Sequence, residues 1–96
     1  MADSGTGSAA EDFVMAFESG KGGATRIGRA TAGSTGQPLM QDLPGGGFFA
    51  VCTIRMPWPE EVWQKGIEPH IHVEPTIEDV IGNRDRTLET ALSYLR

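Results

Sequence analysis

A serine among small residues lies near the start of the chain, in the segment Gly5-Thr6-Gly7-Ser8-Ala9-Ala10-Glu11. A serine hydroxyl can act as a nucleophile when it is exposed at a tight turn and has a base beside it. A helix that begins at Ser8 would direct its free backbone N–H groups to the point where an oxyanion forms. The spacing of Ser8 and Glu11 also fits a capping box. The residues alone favour the plain helix cap and leave the nucleophile as the alternative.

Other residues that could carry chemistry give weaker signals. His70 and His72 are two residues apart on a predicted strand, so their side chains share a face and could bind one metal ion. A polar stripe that faces solvent explains the two histidines more simply. The glycines at 20–23 and 45–47 lack the strand-before, helix-after context of a phosphate loop and indicate turns. Cys52 is the single cysteine, which excludes an internal disulfide, and we expect it to be a buried small hydrophobe. No metal or cofactor is expected.

Composition excludes several classes of partner. The 96 residues include 13 acidic and 8 basic side chains, for a net charge of −5. Because no basic stripe exists, we expect no nucleic-acid partner. No apolar run approaches the roughly 18 residues of a membrane helix, and the first residues do not resemble a signal peptide. The sequence therefore predicts one small domain with no membrane partner, and it leaves the compartment open.

The elements that must position these residues follow from apolar periodicity and turn residues. They predict an α/β fold in the order helix, strands, helix. The segment 48–56 is the strongest strand, and its continuous apolar run predicts burial on both faces. The first helix repeats Ala9, Phe13, Ala16 and Phe17, which predicts a buried face. In chain order the predicted elements are a helix at 8–19, strands at 24–31, 39–43, 48–56 and around 71–73, a helical turn at 76–81 and a helix at 85–95, with turns at 21–23 and 44–47.

Taken in order, five segments resemble the tail-specific, or C-terminal-processing, serine peptidases, including the core of tricorn protease. The matching segments are Asp3 with Ser8-Ala9-Ala10-Glu11, 27–33 (IGRATAG), 43–47 (LPGGG), 66–73 (GIEPHIHV), and a closing pattern through Thr76, Asp79, Gly82 and 85–95. The resemblance implies a crotonase-like (Clp protease/crotonase) peptidase core, of which residues 1–96 form the C-terminal part. It implies Ser8 as nucleophile and the Ala9 N–H as an oxyanion donor. A late glutamate of the tricorn type corresponds weakly to Glu61, or to its neighbour Glu60.

The chain departs from the family pattern in two places. Members with a Ser–Lys dyad carry the lysine in the glycine turn that corresponds to 32–36, which has none here, and Lys21 is too early. The base is therefore expected to be a histidine from the N-terminal half of the domain; His70 lies where the family has an aspartate and is not assigned as base. Only two residues precede Asp3, so we expect a fragment that is nearly inactive alone.

Two functions remain open. In the first, the parent protein is a serine endopeptidase whose substrate is a polypeptide and whose nucleophile is Ser8. In the second, the chain is a non-catalytic binding or interaction module that keeps the peptidase fold. Under either, an unpaired sheet edge and an uncovered apolar face predict a homodimer or larger homo-oligomer.

Overall fold

The computed structural model of the protein describes residues 1–20 and 23–96. It confirms the predicted mixture of helices and strands. The turn predicted at 21–23 lies largely outside the described residues, since Lys21 and Gly22 are not among them. The elements are α1 (Ala9–Ser19), β1 (Ile27–Gly28), β2 (Gln37–Asp42), β3 (Phe48–Ile54), α2 (Glu60–Lys65), β4 (Ile71–His72), α3 (Ile77–Ile81) and α4 (Arg86–Tyr94). None of the helices in the described part of the chain is both long and apolar enough to span a membrane.

A small parallel sheet lies at the centre of the fold. β1 pairs with β4 in parallel, with Ile27 opposite Ile71 and Gly28 opposite His72. Ala2 extends this sheet on the other side of β1, because its N–H donates to the Ile27 carbonyl at 3.1 Å and its own carbonyl accepts from Arg29 at 3.0 Å. A Cβ on Gly28 would lie 2.1 Å from the Ala2 oxygen, so only glycine permits this pairing. The chain therefore enters the Ser8 turn from an extended segment.

The apolar core beside this sheet is small. Among the described residues, the buried hydrophobic side chains are those of Ile27, Val62, Ile67 and Val73. The prediction of a buried apolar face on α1 is wrong: its one buried residue is Glu11, while Phe13 and Phe17 are exposed. The helix is held by the polar contacts of Glu11 and Asp12 instead.

β2 and β3 form a separate antiparallel hairpin. Leu39 pairs with Val51 and Met40 with Ala50, and the predicted turn closes through the Leu43 N–H, which donates to Gly47 at 2.7 Å. The segment 48–56, which contains β3, was predicted to be buried on both faces. This prediction is wrong, because every residue of β2 and β3 is exposed. Cys52 is likewise exposed rather than buried. An apolar run predicts a strand, but a two-stranded sheet has no second layer to cover it.

The two helices at the end of the chain begin at the capping residues that the sequence predicts. Thr76 caps α3 in a capping box with Asp79, and the Asp85 side chain caps α4 by accepting from the Leu88 N–H at 2.9 Å. Arg86 binds the buried Asp79 carboxylate through two nitrogens, at 2.6 and 3.1 Å. These contacts tie α3 to α4. The helical turn and the closing helix predicted from the sequence are thereby confirmed.

Candidate active site

The backbone at Ser8 is strained. Ser8 has φ 54° and ψ −126°, and it is one of two non-glycine residues with positive φ in the described part of the chain. An ordinary N-cap residue adopts an extended conformation. Holding a side chain in this sparsely populated region costs about 1–3 kcal/mol, and such strain is concentrated at functional sites. The extended Ala2, the sharp turn and α1 together form a strand-turn-helix junction of the kind that presents a nucleophilic serine.

The residues before Ser8 form a tight turn built on Asp3. The Asp3 carboxylate accepts from the Gly5 N–H at 2.8 Å, and its carbonyl accepts from the Thr6 N–H at 2.9 Å. A Cβ on Gly7 would lie 3.1 Å from Ser34 Oγ and 3.3 Å from the Ala32 methyl. Glycine at position 7 thus lets the segment 32–34 approach the Ser8 turn closely.

Ser8 and Glu11 face one another as the capping-box spacing predicts. The Ser8 N–H donates to Glu11 Oε2 at 3.1 Å. The Glu11 N–H donates to the backbone oxygen of Ser8 at 2.9 Å, and the Ser8 side chain makes no capping hydrogen bond of normal geometry. The glutamate therefore holds the Ser8 backbone, and the two reciprocal side-chain contacts of a capping box are present.

The Glu11 carboxylate is completely buried and collects four hydrogen bonds. Besides the Ser8 N–H, it accepts from the Thr31 hydroxyl at 2.5 Å and from the N–H groups of Gly33 and Ser34 at 2.7 and 2.9 Å. A buried charge is tolerated only with such a full set of partners. The positive end of the α1 dipole further stabilises the negative charge. Glu11 thereby fixes the glycine turn against the start of α1.

Thr31 extends this network toward the end of α2. Its hydroxyl donates to Glu11 and accepts from the Ile67 N–H at 2.7 Å. Gly66 has φ 76°, and a Cβ there would lie 2.2 Å from the Thr31 carbonyl oxygen. The backbones around 31–33 and 64–66 are therefore packed directly against each other. The partners of Glu11 and Thr31 are far along the chain, so the sequence gives the spacing of Ser8 and Glu11 but not this network.

Asp12 makes a second link across the same helix. It lies four residues after Ser8 and therefore on the same face of α1. Its carboxylate accepts from the Trp58 indole N–H at 2.8 Å and from the hydroxyl of the buried Thr35. The Trp58 indole nitrogen thereby joins the proline loop at 57–59 to α1.

Ala9 and Glu61 occupy different surroundings. Ala9 is the first residue of α1, so its N–H cannot be satisfied within the helix, as an oxyanion donor requires. Glu61 lies in the first turn of α2, a helix that the sequence did not predict, and it is exposed. No hydrogen bond or ion pair within residues 1–20 and 23–96 joins Glu61 to Ser8. Its neighbour Glu60 contacts Arg55 at 3.3 Å.

The two histidines have separate partners. His70 Nδ1 accepts from the Arg26 N–H at 3.0 Å, while His72 Nε2 lies 3.6 Å from the Glu74 carboxylate. Across the described residues, no three histidine, cysteine or carboxylate side chains lie together as metal ligands would. No contact there brings either imidazole to Ser8. The described contacts therefore do not support His70 or His72 as the general base for Ser8.

Ser8 thus combines a strained backbone at the start of α1 with a fully buried glutamate three residues later. The model of peptidase family S41 matches residues 1–73, which is about three quarters of the chain. The chain therefore belongs to this family of tail-specific, or C-terminal-processing, serine peptidases. The match includes the Ser8, glycine-turn, LPGGG and GIEPHIHV segments and ends before the closing helix. None of the curated proteins matches the chain.

Proposed function

We propose that this chain carries the nucleophile of a serine endopeptidase that hydrolyses peptide bonds in polypeptides, with Ser8 as the attacking residue. Membership of peptidase family S41 supports hydrolysis of peptide bonds by a serine peptidase. The backbone of Ser8 is the observation that carries the residue assignment, because a simple helix cap has no need of a strained conformation. The parallel β1–β4 sheet beside a strand-turn-helix junction is compatible with a crotonase-like core.

In the proposed reaction, Ser8 Oγ attacks the carbonyl carbon of the scissile peptide as a base removes its proton. The carbonyl oxygen becomes an oxyanion, which the Ala9 N–H stabilises with help from the positive end of α1. Collapse of this intermediate expels the amine, which takes a proton from the protonated base. Water then hydrolyses the acyl-enzyme and regenerates the serine. Glu11 acts by holding the Ser8 N–H and the glycine turn in place.

The base is proposed to come from a residue outside this sequence. The turn 32–36 contains no lysine, and Ser34 occupies the part of it that approaches Gly7. Neither His70 nor His72 is directed to Ser8 by any described contact. Since a serine hydroxyl without a base is a weak nucleophile at neutral pH, the 96-residue chain alone is expected to be nearly inactive.

The first test is hydrolysis of a disordered, fluorescently labelled polypeptide by the peptidase that contains this chain. Ser8→Ala should lower kcat/KM by at least about 10³-fold, since it removes the nucleophile. Ser4→Ala is the matched control, because Ser4 is an exposed serine in the same turn region. Equal activity of the Ser8→Ala and Ser4→Ala variants would remove Ser8 from the mechanism.

The alternative is a non-catalytic module that binds polypeptides, and the absence of a described base beside Ser8 favours it for the isolated chain. Binding of the labelled polypeptide to the 96-residue chain discriminates the two. The peptidase proposal expects slow fluorophosphonate labelling that becomes rapid in the complete protein. A binding module would retain the same Kd in the Ser8→Ala variant and show no labelling in either context.

A further inference from the structure

Asp12 lies on α1 one turn after Ser8 and joins two distant segments of the chain. Its carboxylate is partly buried, and Oδ1 accepts hydrogen bonds from the Thr35 hydroxyl and from the Trp58 indole N–H, the latter at 2.8 Å. Thr35 lies in the glycine turn and Trp58 in the proline loop, 23 and 46 residues away. Because residues four apart share a face of a helix, Asp12 holds both segments on the side of α1 that carries Ser8.

The contact with Thr35 completes the attachment of the glycine turn to α1. Glu11 already holds the N–H groups of the two residues before Thr35, and Asp12 accepts from the hydroxyl of Thr35 itself, which is 5% exposed. Three consecutive residues of the turn are therefore held by two consecutive carboxylates of the helix. A Cβ on Gly7 would come within 3.1 Å of Ser34 Oγ. A shift of Thr35 would therefore change the packing of the turn against the residue directly before the strained serine.

The contact with Trp58 holds the N-terminal end of α2. The loop before this helix is stiff, because a proline on each side of Trp58 fixes a φ angle and the Trp58 N–H donates to the Met56 carbonyl at 2.8 Å. The C-terminal end of α2 reaches the same region, since Gly66 packs against the Thr31 backbone. α2 is thereby attached to the neighbourhood of Ser8 at both ends, and Asp12 makes the attachment at its N-terminal end.

We propose that Asp12 is a positioning residue of the proposed serine peptidase, which keeps Ser8 in its strained conformation by fixing the glycine turn and the proline loop. This role rests on the proposed function of Ser8 as the nucleophile. A sparsely populated backbone conformation persists only where the surrounding structure over-determines it. Glu11 holds the Ser8 N–H directly. Asp12 acts at one remove, through Thr35 and Trp58, by keeping the segments beside Ser8 from relaxing away.

A positioning residue differs in its kinetic signature from a residue that only stabilises the fold. Loss of the Asp12 carboxylate should let Ser8 Oγ and the Ala9 N–H leave the alignment that the transition state needs, while no substrate-binding group is removed. Small displacements of reacting groups can cost about 10²-fold in rate, so Asp12→Ala should lower kcat about 10- to 100-fold. KM should change less than about 3-fold. Asp12→Asn keeps Oδ1 as an acceptor for both donors and should retain kcat within about 3-fold of wild type.

The test compares steady-state hydrolysis of the labelled polypeptide by the proposed complete peptidase and its variants. Trp58→Phe and Thr35→Val each remove one donor to Asp12 and should lower kcat about 3- to 10-fold. Neither change should lower kcat further in the Asp12→Ala background, because both act through the same carboxylate. Asp79→Ala is the control, since it removes a hydrogen-bonded carboxylate at the α3–α4 contact and should lower stability without changing kcat. Urea denaturation verifies that each variant is folded under the assay conditions.

Four results would overturn the proposal: wild-type kcat in Asp12→Ala, equal losses of kcat in Asp12→Ala and Asp12→Asn, an equal loss in Asp79→Ala, or additive losses in the double variants. Ser8→Ala separates this proposal from the assignment of the nucleophile. If Ser8→Ala abolishes hydrolysis and Asp12→Ala leaves it unchanged, only the positioning role fails. Hydrolysis that persists in Ser8→Ala would instead overturn the proposed function, and the positioning role with it.

Discussion

The junction at the start of α1 and the β2–β3 hairpin distribute polarity in opposite ways. At the junction an acidic side chain, Glu11, is fully buried and its carboxylate accepts four hydrogen bonds. In the hairpin, apolar strands such as Phe48–Ile54 are exposed to solvent. The contrast separates a site whose polar groups are satisfied internally from an apolar surface that the described residues leave uncovered. In a buried polar network every donor and acceptor must find a partner, and this requirement fixes the positions of its members. An open strand edge carries no such requirement and can pair with other strands.

The largest effect should come from removing the buried carboxylate. Glu11→Ala leaves the Thr31 hydroxyl and the N–H groups of Gly33 and Ser34 without their acceptor, so we expect a loss of about 3–5 kcal/mol in the free energy of unfolding. Glu61→Ala is the control, since Glu61 is exposed and its loss should cost less than about 0.5 kcal/mol. Urea denaturation of both variants makes the measurement. Equal stability of the two variants would mean that the Glu11 network does not organise the junction.

A methyl group at Gly66 tests the backbone contact behind that network. A Cβ there would lie 2.2 Å from the Thr31 oxygen, so Gly66→Ala should cost about 2–4 kcal/mol. Gly45→Ala, in the hairpin turn, is a matched control, because Gly45 has φ 98° but nothing within 4 Å of an added Cβ. It should show only the cost of the left-handed backbone, about 1 kcal/mol. Similar losses in thermal melts would contradict the close packing of 31–33 against 64–66.

A smaller effect should appear as pH dependence at the α3–α4 contact. Hydrogen bonding to Arg86, reinforced by the Thr76 N–H, holds the pKa of Asp79 well below its usual range. Because the folded-state pKa is depressed, the ionised carboxylate stabilises the fold above the unfolded-state value near 4, and this stabilisation is lost as pH falls below it. The urea concentration at the unfolding midpoint should therefore decrease when the pH is lowered from 6 to 3. Asp79→Asn should remove part of that fall, and an unchanged pH profile would argue against the ion pair.

Local signals in the sequence predict most of the helices but not what covers them. Thr76 and Asp85 predict the starts of α3 and α4, because an N-cap residue interacts only with the first turn of its own helix. α2 escaped prediction because the prolines at 57 and 59 indicate a loop and the helix that follows is only six residues long. The exposure of β3 was missed for a related reason: an apolar pattern specifies a strand but not the layer that buries it.

In the candidate site, too, the local features are predictable from the sequence and the tertiary contacts are not. The spacing of Ser8 and Glu11 is visible in the sequence, and so is the resemblance that favours a nucleophile over a cap. The contacts of Glu11 with residues 31–34 join chain segments twenty or more positions apart. Trp58 joins Asp12 across an even longer separation. Such contacts are set by the tertiary fold, so no local pattern could predict them.

The most direct measurement of the central claim is mass spectrometry of the fluorophosphonate adduct on the proposed complete peptidase. The account predicts a single adduct on the peptide that includes Ser8, and its loss in the Ser8→Ala variant. A stoichiometric adduct on any other serine, with Ser8 unmodified, would contradict the assignment of Ser8 as the nucleophile.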